Sequence, residues 1–491
     1  MSEDLSRGAL ALIVIQGLYF VLGYLVVVML ARELGPVAYG AYAVIMSVLV
    51  WAEQSPRRAV PAVAAKLIAE HPEAAGDIAP ASLIINLLLH VVLFAIFWWA
   101  APWLAEWFHI ENGVWLFRLA AFDLPLYGLY TALQGVHQGH HRFYRLGFSE
   151  LTYALAKVVG VALLVAFGMS IEGALIVNII SSLVGILFLI GRSVLLRRIA
   201  WRSASRRVLL LARQIAPYSI LVPLVSSFDI WILGASLPAT EAAATTGLYV
   251  AALNIARVPG FALSTVSQVL LPSVARAFAA ANHGLVRHYV NQVMRLFLIL
   301  YLPACMMLFA APEQLMQWIY TSEYSGGASM LVILTIAHGL WAIQAIVAAV
   351  LVAVGRMREL AAIMAVTMML GLPVMVGLIH IVEGIGAAIG TALIALANVI
   401  GGFARLRREF GSVVQLRNMV RIAIAGAAMA AVSVVSAIIG GAGAFVTVTA
   451  GLLAYATVLV VLSELGSAEL AVIFPRRVSG SRSAPRKPKY P

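Results

Sequence analysis

Five ionisable residues stand inside runs of the chain that are otherwise apolar: Arg118, Asp123, Lys157, Asp229 and Arg257. Such a group at the centre of a membrane helix costs on the order of 2.5 to 3.5 kcal/mol, so each needs a partner or a wet cavity. Two kinds of chemistry fit these residue types. One is interhelical ion pairing that fixes packing. The other is a cationic central chamber for phosphate, with Arg118, Lys157 and Arg257 as the cations, because arginine bonds phosphate oxygens in bidentate fashion. Asp123 and Asp229 would then neutralise Arg118 or Arg257. Arg118 and Asp123 lie five residues apart, about 140° around a helix, so at least one of them faces another helix. Glu150 and Lys157, seven apart, share a face at a separation of ~10 Å and would line one wall. Glu53 and Arg57 are spaced to pair, although Pro56 between them strains that geometry. Arg57 and Arg58 read either as a topology anchor or as a first grip on a lipid phosphate.

The elements that must position these groups follow from composition. Of 491 residues 63% are hydrophobic and 11% charged, against the roughly 25% charged of a soluble domain. Apolar runs of about 20 residues recur along the chain, the length of a bilayer crossing. The fold class is therefore all-α and polytopic, with about fourteen transmembrane helices and no room for a separate catalytic domain. The runs fall near 8–32, 38–66, 81–104, 113–137, 146–168, 172–196, 208–236, 243–275, 288–310, 326–354, 358–380, 384–404, 416–439 and 443–465. The first lacks a small-residue cleavage site and is expected to stay as a span. Cys305, the one cysteine, reads as a buried thiol.

The net charge of +12 does not point to nucleic acid, because of where it lies. Basic residues gather in every second connection: Arg57, Arg58 and Lys66; Arg142 and Arg145; Arg192 to Arg213; Arg276 and Arg287; Arg356 and Arg358; Arg405 to Arg417; then a tail from Arg476 to Lys489. The intervening connections hold acids, such as Glu106, Glu172, Glu313 and Glu383. This is the positive-inside pattern, and it places both termini in the cytoplasm. The tail reads as a disordered basic segment on anionic lipid.

Prolines mark the expected bends. Pro56 and Pro61 fall in the second run, and Pro259–Gly260 and Pro272 in the eighth. The polar linker at 197–213 divides the chain after six runs, and the second half echoes the first: Gly247 and Tyr249 open a run as Gly40 and Tyr42 do. The expected units are an N-terminal six-helix lobe at 1–200, a second at 201–410, two added helices at 411–470 and a cytoplasmic tail at 471–491.

The stretch from Leu30 to Tyr42 carries a resemblance. Gly35–Pro36 breaks the helix as a hinge, Gly40 and Tyr42 open the next, and the stretch resembles the opening hairpin of the oligosaccharide flippases, the polysaccharide-exporting branch of the superfamily that also holds multidrug extruders and lipid II flippases. The resemblance implies two six-helix lobes around a central cavity open to each side in turn. It implies no enzyme and no cofactor, a polyprenyl-pyrophosphate-linked oligosaccharide as cargo, and H+ or Na+ coupling through Asp123 or Asp229, with Glu53 as a further charge-balancing group. Partners would be membrane lipid, the lipid-linked oligosaccharide and other glycan-assembly proteins, in the inner membrane of the cell. Rivals are a cation-coupled small-molecule exporter of the same fold and a non-transporting component of glycan assembly.

Other features read plainly. Trp98, Trp99, Trp103 and Trp107 suit an aromatic interface belt. His137, His140 and His141 lack acidic or cysteine company, with Arg142 and Arg145 adjacent, so no metal site is expected. No phosphate-cradling Gly-x4-Gly-Lys-Ser/Thr loop appears, which excludes direct ATP drive. The outer connections are short, the longest near 312–327, which argues against a membrane glycosyltransferase.

Overall fold

Gly35 sets the first turn of the architecture. In the computed structural model, helix α1 (Ser2–Arg57) is two crossings joined there, with φ 68° and ψ 171°. Glycine takes that conformation without strain, and Pro36 beside it, lacking an N–H, suits the first turn of the helix that follows. The structure describes residues 2–168, 170–190, 201–413, 415–440, 444–462 and 464; the start of the polar linker and the basic tail lie outside them.

After Pro56 the chain turns at Arg58 and Ala59, and α2 (Val60–Glu70) carries the second crossing on. Next come α3 (Ala75–Trp107), α4 (Gly113–Ala121), α5 (Asp123–Gly139), α6 (Phe143–Phe167) and α7 (Ile171–Leu189). The second half holds α8 (Trp201–Val225), α9 (Phe228–Ser236), α10 (Ala239–Ala279), α11 (His283–Ala310), α12 (Pro312–Ile319), α13 (Ala328–Ala353) and α14 (Met357–Phe410). Then α15 (Leu416–Gly440) and α16 (Ala444–Val461) close the described chain. Helix α14 has its own hinge, at Val382 and Glu383. With α1 and α14 divided at their hinges, α2 taken with the second crossing, α4–α5 and α8–α9 joined across their breaks and short α12 set aside, the helices of the described residues make fourteen rods, the number expected from about 20 apolar residues per crossing. The chain is a multi-pass membrane protein of helices, with no strand among the described residues.

Three local expectations need correction. The runs at 113–137 and 208–236 are not continuous helices: one is interrupted at Phe122 and the other at Ser226 and Ser227. Conversely, α10 stays one helix through Pro259 and Gly260, so the bend expected there is not a break in the helix. The long connection at 312–327 is no open loop, since α12 and a 3-10 segment (Ser322–Gly327) fold it over the Gly35 hairpin.

The two halves meet where their related glycines cross. A methyl group on Gly40 would overlap the Ala243 carbonyl oxygen, and one on Gly247 would overlap that of Pro36. The backbones of α1 and α10 therefore touch, as small residues allow in membranes. Above the crossing, Arg32 donates to the carbonyls of Trp318 (2.6 Å) and Ile319 (2.8 Å) at the C-terminal end of α12. The Tyr324 hydroxyl donates to Ala31 O at 2.6 Å, and the Asn254 amide to the Tyr39 hydroxyl at 3.0 Å. On the opposite, basic face, α8 packs against α2 and α3 through Val208 and Ala212. There Arg356 and Arg405 bind Glu359 and Glu409, which ties both ends of α14 together. Helices α15 and α16 rest on α11, and Arg295 and Arg421 hold Glu464 just beyond α16.

Gly40→Ala is expected to force α1 and α10 apart and lower the melting temperature of the detergent-solubilised protein, at a cost of about 1–3 kcal/mol. Gly17→Ala, at a position with nothing within 4 Å, should leave it unchanged.

Candidate functional site

The break at Phe122 makes Asp123 the first residue of α5, where a carboxylate faces the positive end of the helix dipole. Asp123 and Glu53, 2% and 5% exposed, lie in electrostatic contact with each other and with Lys157. The Lys157 ammonium also sits 4.8 Å from the centre of the Tyr153 ring, one turn earlier on α6. One oxygen of each carboxylate, Glu53 Oε1 and Asp123 Oδ1, is buried without a protein hydrogen-bond partner. With both carboxylates ionised against one ammonium, the cluster holds one negative charge in excess. Lys157 also lines a cavity of about 180 Å³ with Tyr19, Tyr39, Tyr42 and Asn178.

Arg57 does not pair with Glu53. The turn after Pro56 carries it to the Tyr127 hydroxyl, which accepts from Arg57 Nη1 and from Gln54 Nε2, each at 2.9 Å. Arg58, exposed, faces Tyr218 of α8 across the boundary between the halves.

The break at Ser226–Ser227 builds the second site. It frees the Ser226 carbonyl, which Arg257 caps at 3.1 Å from α10, and it places Asp229 in the first turn of α9. Asp229 accepts the Tyr249 hydroxyl at 2.8 Å and the Ile230 amide at 3.0 Å, and Tyr249 reaches on to the Thr391 hydroxyl at 3.2 Å. Arg257 and Asp229 line a cavity of about 450 Å³ with Tyr218, His338, Trp341 and Gln344 among its walls. Its volume is in the range of small-ligand sites.

Arg118 joins neither cavity. It sits 5.0 Å from the centre of the Trp98 ring near the hairpin end of α4, with its Nε toward the Trp98 carbonyl at 3.5 Å. Asp123 lies beyond the Phe122 break, so the one central chamber expected from Arg118, Lys157 and Arg257 is instead two cavities, each with one of the other two cations. Trp99, Trp103 and Trp107 are exposed as a belt would be. His137 bonds the Leu189 carbonyl at the end of α7. Gly260 lines the larger cavity, and Gly35 and Pro36 lie at the hairpin.

A search weighted toward charge passes over Tyr127, Tyr249, Thr391, His338, Trp341 and Gln344. The signal that could have found the last three is their position: a histidine, a tryptophan and a glutamine, successive third residues on the otherwise apolar α13.

Residues 29–329 match the family model described as polysaccharide biosynthesis protein. The chain belongs to that family. The fold is also that of a lipid II flippase, MurJ, solved in an inward closed conformation: TM-score 0.76 and 12% identity, over 95% of this chain and 99% of that one. An inward-facing multidrug resistance MATE transporter of the MOP superfamily aligns with TM-score 0.70 and 17% identity, over 81% of this chain and 95% of that one. In sequence, the lipid II flippase MurJ of Bacillus subtilis is 23% identical over 205 residues. That match spans 40% of this chain and 37% of the relative's length. The family thus sits on a flippase and transporter fold, and no relative named here is an enzyme.

Lys157→Met leaves Glu53 and Asp123 buried without their cation and is expected to cost on the order of 3–5 kcal/mol of stability. Adding Asp123→Asn should restore most of it; thermal unfolding in detergent compares the two.

Proposed function

We propose that this protein flips a polyprenyl-pyrophosphate-linked oligosaccharide from the cytoplasmic to the outer leaflet by alternating access, for cell-surface polysaccharide synthesis. The observation that carries the reading is the pair of polar, cation-bearing cavities inside a chain of the polysaccharide biosynthesis family. The basic face is the cytoplasmic one, by the alternation of charge, and both termini lie there, in the inner membrane. The sealed hairpin face then looks outward. The lipid tail stays in the bilayer while the headgroup crosses through the polar interior, which removes most of the cost of taking phosphate and sugar through hydrocarbon. Arg57 and Arg58, beside the boundary between the halves at the basic face, meet the pyrophosphate first. Lys157 attracts it further in, while Arg257 stands on the wall of the second cavity.

Coupling falls to the Glu53–Asp123–Lys157 cluster. With both carboxylates ionised the cluster carries one excess negative charge, which a single H+ or Na+ neutralises, so loading and releasing that ion changes the cost of keeping the cluster dry. Asp229 is already held by two donors and faced by Arg257, and serves as a balancing charge. Glycan-assembly enzymes supply the lipid-linked substrate.

The same excess charge favours one second reading, a cation-coupled exporter of small hydrophobic cations, on the fold shared with the MATE transporter. Reconstitution separates the two. Vesicles containing the protein are expected to translocate a fluorescent lipid-linked oligosaccharide and to ignore ethidium; ethidium transport with no lipid movement would reverse the assignment.

In cells, Arg57→Ala and Arg257→Ala should cut surface glycan at least tenfold while lipid-linked intermediate accumulates inside. Arg118→Ala, outside both cavities, should retain at least half. Loss of intermediate along with surface glycan would instead favour a non-transporting role in assembly.

A further inference from the structure

The larger cavity is built differently from a phosphate site, and the difference points to its occupant. Its charges are Arg257 and Asp229, which cancel; a pyrophosphate placed there would face a carboxylate and one cation already bonded to the Ser226 carbonyl. Of the remaining polar side chains, Ser226 and Thr391 are hydrogen-bonded within the protein, whereas two on α13 are not. Gln344 is 3% exposed, and both atoms of its amide lack a protein partner among the described residues, as does Nε2 of His338. Leaving a buried polar group unpaired costs about 1–3 kcal/mol, and these three atoms belong to two residues of one helix that line one cavity, so a ligand that hydrogen-bonds in both directions would satisfy them once the side chains turn toward it. Gly402 is part of the construction: a side chain there would crowd Gln344 Oε1, which lies 3.1 Å from where its β-carbon would be. Trp341, between His338 and Gln344 along α13, and Tyr218 from α8 add aromatic surface.

We infer that this cavity is the saccharide subsite of the flippase, taking a neutral pyranose of the headgroup while the pyrophosphate stays with Arg57, Arg58 and Lys157. Sugar hydroxyls both donate and accept, which matches the Gln344 amide and the His338 ring. The apolar C–H face of a pyranose covers an aromatic ring, and Trp341 supplies one. The inference rests on the flippase reading, and it divides that reading's substrate between the halves: anionic part against α1 and α6, neutral sugar against α10 and α13.

Saturation-transfer NMR on the full-length protein in lipid nanodiscs tests it, with glucose, galactose, N-acetylglucosamine and glucuronate as probes. Transfer to ring protons of at least one neutral sugar is expected, with glucuronate weaker. Gln344→Leu and Trp341→Ala should each weaken that binding roughly tenfold, the size of one net hydrogen bond or aromatic contact. Trp99→Ala, which removes a membrane-facing ring, serves as the control and should not change it. His338→Phe provides a second polar deletion should Gln344→Leu fail to fold. Absence of transfer from every sugar, or equal transfer in wild type and in the folded cavity variants, overturns the subsite. The lipid-linked oligosaccharide assay on wild type is separate, so a functioning flippase with no sugar response would sink this inference alone.

Discussion

The contact of backbone against backbone at Gly40 and Gly247 is the constraint on which the rest of the molecule depends. Hydrocarbon offers helices no hydrophobic drive toward one another, so association in a membrane relies on close packing and on hydrogen bonds. Two missing side chains at one crossing let α1 and α10 come near enough for Arg32, Tyr324 and Asn254 to reach the other half. Closure there is local, and it leaves the halves free to separate cavities deeper in. Lys157 and Arg257 are thereby kept on different sides of the central contact.

The larger cavity and the Glu53–Asp123–Lys157 cluster each sit beside a broken helix. A helix interrupted within a membrane frees carbonyls and N–H groups that lipid cannot satisfy, so breaks survive only where protein or water meets them. At Ser226 the meeting group is Arg257, and at the start of α5 the helix end carries Asp123. The charges and the breaks therefore explain one another: each polar side chain sits where the backbone is already polar. This also accounts for Arg118 standing apart. It lies within a turn or two of the hairpin end of its crossing, where a long side chain reaches the interface and an indole ring suffices as company.

Much of this was legible in the residues. Gly35–Pro36 encodes a break through φ alone, and apolar run length encodes fourteen crossings. The likeness of Gly40 and Gly247 was visible too, but that the two glycines touch was not, because a repeat in sequence carries no information on which copies face each other. The breaks at Phe122 and Ser226 were passed over although each has a proline within a turn: Pro125 lacks the N–H that would bond the Ala121 carbonyl, and Pro223 stands three residues before Ser226. The unbroken α10 shows the reverse, a Pro–Gly pair absorbed within a helix. The neutral lining of the larger cavity was missed because one histidine and one glutamine in an apolar run look the same whether they face a neighbour or a void.

The seal at the crossing is made of bonds that separate cheaply. Its cross-links are hydrogen bonds, mostly to backbone carbonyls, with one exposed arginine and no buried ion pair spanning the crossing among the described residues. A net hydrogen bond of this kind contributes about 1 kcal/mol, and those at an aqueous face can be exchanged for water. A buried ion pair across the crossing would cost several kcal/mol to part. The strong electrostatic cluster, Glu53–Asp123–Lys157, lies wholly within the first half, so it need not be torn apart when the halves separate.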